Sequence, residues 1–376
     1  MTANKPAGDE SPRSTAAQSA PARAVAAKSA RSAAAESRIR VGSVAGFLAV
    51  VPHLLGFHPD RSLVVVGLDA RRGRVVLAFR YDLPDPPDPA GSKDIAEHAA
   101  AVLARRRIKT AIVAGYGPGR LVTPAAEPVR SALAGARIGL RDLLRVENGR
   151  YWSYVCQDPA CCPPDGVPFD GAGHPAAAAL DAAGMTARPD RASLAASLAP
   201  LDGPVAESMA RATERALRRA EELAASAADA REGRRLVVDA GRAAVREAIG
   251  TYRGSGRITD HDYLAWLTVT LPDLRVRDDA WARMEPGFRA QHQLLWTDLV
   301  RHAGQRYVPA PASLLAFTAW QSGEGALANI AIARALAADP EYSMARLLAQ
   351  ALDAGLPPSA ARLPMTPEEV EASYGG

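Results

Sequence analysis

Two short stretches of the chain gather side chains whose types and spacing could do chemistry. The first runs Val51-Pro52-His53-Leu54-Leu55-Gly56-Phe57-His58-Pro59-Asp60-Arg61-Ser62. It sets two imidazoles and an Asp-Arg pair around a turn fixed by one glycine and two prolines. Imidazole titrates near neutral pH, so His53 and His58 are candidates for ligation or acid/base work, with Arg61 beside them as a ligand contact. The same residues also fit an architectural part. Pro52, Gly56 and Pro59 would set backbone angles while Leu54, Leu55 and Phe57 fill a core. No nucleophile or third orienting residue stands at a spacing that completes a catalytic set.

The second stretch runs from Tyr151-Trp152-Ser153-Tyr154 through Cys156, Cys161 and Cys162 to Gly166. Three thiols fall within seven residues of a proline-rich loop that leaves an aromatic strand. Thiolates are the soft ligands zinc favours, and a closed zinc site takes four donors. Asp158, or His53, His58 or His174 brought near by folding, could be the fourth. The spacing C-x4-C-C is not a standard zinc signature. Reversible thiol–disulfide chemistry and a tightly turned structural loop therefore stand beside the metal reading. Trp152, at the mouth of the loop, is a further candidate ligand contact.

A third stretch, Gly115-Tyr116-Gly117-Pro118-Gly119-Arg120, follows an apolar strand and precedes a helix. Loops in that context cradle phosphate with their amides. The spacing matches neither the dinucleotide fingerprint nor the P-loop, and Pro118 removes one donor, so a plain strand-to-helix turn is the simpler reading. If an anion does bind, Arg120 is its countercharge. The chain holds no G-x-S-x-G elbow, no H-E-x-x-H pair and no acidic metal-binding loop.

The elements that must position these residues can be read from pattern. Hydrophobic residues supply 48% of the 376 and aromatics only 5%, which predicts globular, alanine-rich and helix-rich cores. Residues 1–38 are Ala, Ser, Pro and basic residues with almost no large apolar groups. They are expected to be disordered, since they cannot bury enough surface to offset chain entropy. Order is expected from about Ile39, with Ser43 capping a helix through Val51 and Gly56 closing it. The runs Ser62–Leu68 and Arg74–Tyr81 read as a hairpin, a helix follows at about 93–107, and Thr110–Ala114 reads as a strand. Thr123 is then the expected cap of a helix whose first residue is Pro124. Leu140–Val146 and Arg150–Val155 pair through Asn148-Gly149, the strongest hairpin signal in the chain. A mixed α/β domain over 39–170 results, with hairpins in its sheet and flanking helices.

Residues 171–203 read as an Ala/Pro-rich linker, 204–360 as an all-α array and 361–376 as a C-terminal tail. Within the array, Leu315, Ala328, Ala335 and Pro340 stand at the spacing of one tetratricopeptide-like hairpin. Trp320 reads as core. Leu267–Leu271 is ambiguous between strand and helix.

Charge and cysteine count exclude several classes. Of 45 Lys/Arg and 41 Asp/Glu, seven and three lie in the first 40 residues, leaving 38 of each. The net charge of +4 thus belongs to the tail, and the folded body has no global field to attract nucleic acid. No stretch approaches the roughly 18 uninterrupted apolar residues of a membrane span. The N-terminus lacks the apolar core of a secretory signal, and three clustered cysteines are not a disulfide framework, so a cytoplasmic location is expected.

Three segments in order resemble one family. Val41–Gly67, with its Pro52-His53-Leu54-Leu55-Gly56-Phe57-His58-Pro59 centre, resembles the opening of the domain-of-unknown-function family 4192, from high-GC bacteria. Tyr151-Trp152-Ser153 to Cys161-Cys162-Pro163 resembles its middle signature. Ala319-Trp320 through Gly323-Glu324-Gly325 to Asp339-Pro340-Glu341-Tyr342 resembles its C-terminal one. The resemblance spans about 39–360 and implies no activity. The expectation is a cytoplasmic ligand-binding or regulatory module whose helical half offers a protein-partner surface. The rival is an enzyme, or a thiol- or zinc-dependent site, uniting His53 or His58 with Cys156, Cys161 or Cys162 in one pocket. Zinc is the cofactor such a set would suit. The sequence names no oligomeric state.

Overall fold

The computed structural model describes residues 42–69, 73–360 and 366–374. The expected disordered tail and the tip of the first hairpin lie outside the described residues. The first half of the chain builds a sheet from β1 (Ser62–Leu68), β2 (Val75–Asp82), β3 (Thr110–Tyr116), β4 (Gly139–Glu147), β5 (Arg150–Ser153) and β6 (Val167–Pro168). Its order is β2-β1-β3-β4-β5-β6. β3 and β4 are parallel, joined by a crossover helix, and every other neighbouring pair is antiparallel. The Asn148-Gly149 turn has both residues at positive φ, as a tight two-residue hairpin demands, and it pairs Glu147 with Arg150.

β1 is buried along its whole length, which explains its unbroken Leu63-Val64-Val65-Val66 run. Leu63 and Val65 face helices α2 (Pro89–Arg105) and α3 (Gly119–Gly135), through Leu103, Leu121 and Val129. Val64 and Val66 face α1 (Val44–Leu55), through Phe47, Leu48 and Val51. The result is a three-layer α/β unit with one apolar core on each face of the sheet.

Three segments depart from the pattern reading. Residues 171–203, expected as a linker, carry α4 (Pro175–Ala182) and α5 (Arg191–Ala196). Ala177 and Leu180 of α4 are buried, so this stretch closes the free side of α1 with small side chains that give little periodic signal. α3 begins at Gly119 and not at Pro124. Pro124 and Pro128 both sit inside it, and Thr123 Oγ1 bonds the Tyr154 hydroxyl at 2.7 Å instead of capping. Pro52 likewise lies within α1, which continues to Leu55.

The second half is a helical array: α6 (Gly203–Ala225), α7 (Ala230–Arg253), α8 (His261–Thr270), α9 (Leu274–Ala282), α10 (Arg289–His302), α11 (Pro309–Gln321), α12 (Gly325–Ala338) and α13 (Ser343–Asp353). Leu267–Thr270, the ambiguous stretch, belongs to α8. α11 and α12 form the expected hairpin, with Ala328 and Ala335 fully buried between them and Trp320 buried. The C-terminal region carries α14 (Pro367–Tyr374), which packs on α9. Its Val370 is buried and its Tyr374 hydroxyl donates to Asp278 at 2.7 Å. Two anchoring side chains are too few to mark a helix in sequence, which is why 361–376 reads there as a tail.

One ionic cluster holds the array together from inside. Asp279 on α9 is wholly buried and accepts from Arg242 and Arg246 of α7 and from Arg283. Burial alone would raise its pKa, but the bonds from Arg283 and Arg246 outweigh it and hold the carboxyl at about 2.

The two halves lock at the end of α13. Gly355 and Leu356 turn the helix off in a Schellman cap, their amides bonding Leu352 O and Ala351 O. The next carbonyls, of Asp353, Ala354 and Gly355, accept from His98 Nε2, Arg105 Nε and Arg106 Nη1 of α2 and the residue after it, at 3.0–3.1 Å. His98 Nδ1 accepts from the Tyr81 hydroxyl at 2.9 Å, so the ring presents its Nε2 proton to the helix end. Cationic side chains at a helix C-terminus answer both its unpaired carbonyls and its dipole.

Asp279→Ala removes the buried carboxylate on which three guanidinium groups converge and is expected to lower unfolding free energy by about 3–5 kcal/mol, measured by urea denaturation. Gly355→Ala is also expected to destabilise. At φ 62° the new Cβ would lie 2.5 Å from Val102 Cγ1, and a loss of about 2 kcal/mol in the same assay is the expected outcome.

Candidate functional site

α1 starts where Ser43 accepts the Gly46 amide and stops at Gly56, whose φ of 78° the left-handed cap requires. This delivers His53 to the last turn, with its side chain only 7% exposed. Its Nε2 lies 3.1 Å from Asp181 Oδ1 of α4 and its Nδ1 3.3 Å from Ala49 O. Both partners are acceptors, so only the doubly protonated ring donates to both. Beyond the cap the chain is pinned by a short parallel bridge between Phe57 and Arg188. Arg188 N bonds Gly56 O, and His58 N bonds Arg188 O. His58 itself is exposed.

Arg61 and Arg120, from two separate motifs, meet at one carboxylate. Arg61 Nη1 is 3.1 Å from Asp85 Oδ2 and Arg120 Nη1 is 2.9 Å from Asp85 Oδ1. The Arg120 hydrogen bond, aided by the Arg61 charge, holds the Asp85 carboxyl below its ordinary range. Arg120 is thus engaged by a protein carboxylate beside the Gly115–Gly119 loop, which behaves as a strand-to-helix turn.

Trp152 is a clamp for the cysteine loop. Arg145 Cζ stacks 3.7 Å from its ring centroid, its Nε1 donates to Pro164 O at 2.9 Å, and Gly166 lies against the indole. Arg150 Nη1 adds bonds to Asp165 O and Gly166 O. At the loop's other end Ser153 Oγ accepts the Val155 and Cys156 amides and donates to Asp142 Oδ1. Between these anchors, Asp158 O accepts the amides of Cys161 and Cys162, which folds the tip back toward Cys156. The three sulfurs lie within 4.8 Å of one another.

The cavities described below that His53 and His58 line are walled without the thiols. Ser62, Tyr116, Val146 and Tyr151 form one row across the sheet, and the His53–Arg61 turn enters at that end. β5 leaves the row in the other direction, so Cys156 begins beyond Ser153. Among the described residues, no histidine nitrogen joins the sulfur cluster, and the cavities that His53 and His58 line include no cysteine.

The concave surface lies elsewhere. A cavity of about 750 Å³ opens between the end of α1, the 184–188 loop, α5, α10 and the start of α12. Two more, of about 430 and 500 Å³, lie toward β2 and toward Phe169. His53 lines all three. Arg188 and Arg301 line the largest, with hydroxyls from Ser193, Ser197 and Thr297 and apolar walls from Leu54, Leu198 and Leu327. Sequence reasoning missed Arg188 and Arg301 because each stands in a polar helical or linker context with no motif around it.

The family model described as Domain of unknown function (DUF4192) matches residues 45–359. No curated protein and no solved structure matches the chain.

Trp152→Ala removes the indole that holds the loop's return strand. It is expected to cost about 2 kcal/mol, since the ring is only half-buried, and to raise amide hydrogen exchange across 155–166 while the β3–β4 amides stay protected.

Proposed function

The chain belongs to the DUF4192 family, and we propose that it is a ligand-binding module that takes a small anionic molecule with an apolar portion into the cleft between its two halves. One observation carries this reading. Among the described residues, no carboxylate stands within ion-pair distance of Arg188 or Arg301, though both line the largest cavity. Arg106 lines the adjoining cavity toward β2, as does Arg80, which pairs with Asp82, and Glu324 is the acid in the described lining of these two. With Arg188 and Arg301 on its walls, the cleft focuses positive potential where a ligand would enter.

The walls supply what such a ligand needs. Guanidinium forks suit phosphate, sulfonate or carboxylate, and the hydroxyls of Ser193, Ser197 and Thr297 fix orientation. The leucines around them accept an apolar portion, and about 750 Å³ accommodates a small molecule. Because the walls come from both halves, occupancy would stabilise the contact between them, which is what a regulatory module uses. The partner surface expected on the helical half has less support. Its exposed leucines, Leu217, Leu274, Leu294 and Leu347, sit on four different helices.

The test uses anilinonaphthalene sulfonate, which carries a sulfonate on fused rings. Saturable binding is expected, weakened about tenfold by Arg301→Ala and by Arg188→Ala and unchanged by Arg211→Ala on the outer face of α6. Titration by fluorescence reads the affinity. Equal binding by all four proteins would remove the cleft reading.

A further inference from the structure

The three-cysteine loop lies apart from the cleft and stands on its own observations. Free structural cysteines are among the most buried residue types. Here Cys161 is exposed and Cys156 and Cys162 are only partly covered, so core packing does not account for their convergence. Yet the loop is anchored at both ends, by Ser153 on one side and by Trp152 and Arg150 on the other, and its tip is turned by Asp158. The three Sγ atoms all fall within 4.8 Å.

We infer that Cys156, Cys161 and Cys162 form a binding site for a thiophilic divalent ion of the zinc class, held by three thiolates. Zinc–sulfur bonds of about 2.3 Å in a tetrahedron put the sulfurs about 3.8 Å apart, a separation within the 4.8 Å that encloses them here. A disulfide fits less well. Adjacent Cys161 and Cys162 have Cα atoms about 3.8 Å apart, below the usual disulfide span, and any one bridge leaves a third sulfur unused.

The loop backbone holds the sulfurs in place: Ser153 Oγ fixes the Cys156 amide and Asp158 O fixes those of Cys161 and Cys162. Thiols that coordinate a divalent ion lose their protons. Binding then releases the thiol protons to solvent and leaves a site with three protein ligands. Among the described residues no His, Asp or Glu ligand atom joins the three sulfurs, so the fourth position falls to water or an exogenous donor.

The full chain, reduced and stripped of metal, is dialysed against zinc and separately against cobalt(II). About one ion per chain is expected, with thiolate-to-cobalt charge-transfer absorption and three thiols that react with a disulfide reagent far more slowly than in the stripped protein. Cys161→Ser changes an exposed side chain, so its far-ultraviolet circular dichroism is expected to match the parent, and its zinc affinity is expected to fall more than tenfold. Three results would each overturn the site: no zinc bound by the parent, equal zinc bound by Cys161→Ser, or thiols that react equally fast with and without the ion. The thiol measurement needs no variant, so it decides the matter even where Cys156→Ser or Cys162→Ser fails to fold.

Discussion

The last carbonyls of one helix hold this molecule in one piece. At the end of α13 the chain has used its own amides in a Schellman cap, and three oxygens remain for which no intrahelical donor exists. His98 and Arg105 of α2 and Arg106 just after it, on the far side of more than two hundred residues of chain, supply the donors. Once that contact is made, the array cannot slide along the sheet without stranding either carbonyls or cations in a partly dry interface. The cavities beside it have a definite shape because the lock is definite. The same economy recurs inside the array, where Asp279 satisfies arginines from two elements and so fixes α7 against α9.

His53 is where the architecture and the chemistry meet. It sits at the end of α1, is tied to α4 through Asp181, and forms part of the wall of all three cavities. A side chain so placed feels α1, α4 and the 184–188 loop together. The hydrogen-bonded pair that helps to seat α4 thus also borders the cleft.

Much of the fold was legible in the sequence, and the reasons are local. Ser43 and Gly56 bracket α1 because caps and left-handed closures depend on one residue each. Asn148-Gly149 set its hairpin for the same reason, and β1 declared itself by a β-branched run that only a strand buried on both faces tolerates. Where the reading failed, the decisive forces were not local. Prolines 124 and 128 were absorbed into α3 because packing of Leu121, Val122 and Val129 on the sheet outweighs two missing amide bonds. The 171–203 stretch looked like a linker because alanine-on-alanine packing leaves no strong period. At the site level the sequence exposed each cluster but not its company. That Arg61 and Arg120 share Asp85, that the thiols converge, and that no described imidazole joins them are all consequences of strand order and direction, which spacing along the chain does not encode.

β6 is two residues long, and the second is Pro168. A proline has no amide hydrogen to offer, so the outermost rung of the sheet ends on a position that cannot donate to a further strand. The opposite margin, β2, runs along the cavity that faces the α11–α12 turn and is overhung by the helical half. At the β6 border Pro168 thus offers no amide to a further strand, which limits edge-to-edge recruitment there.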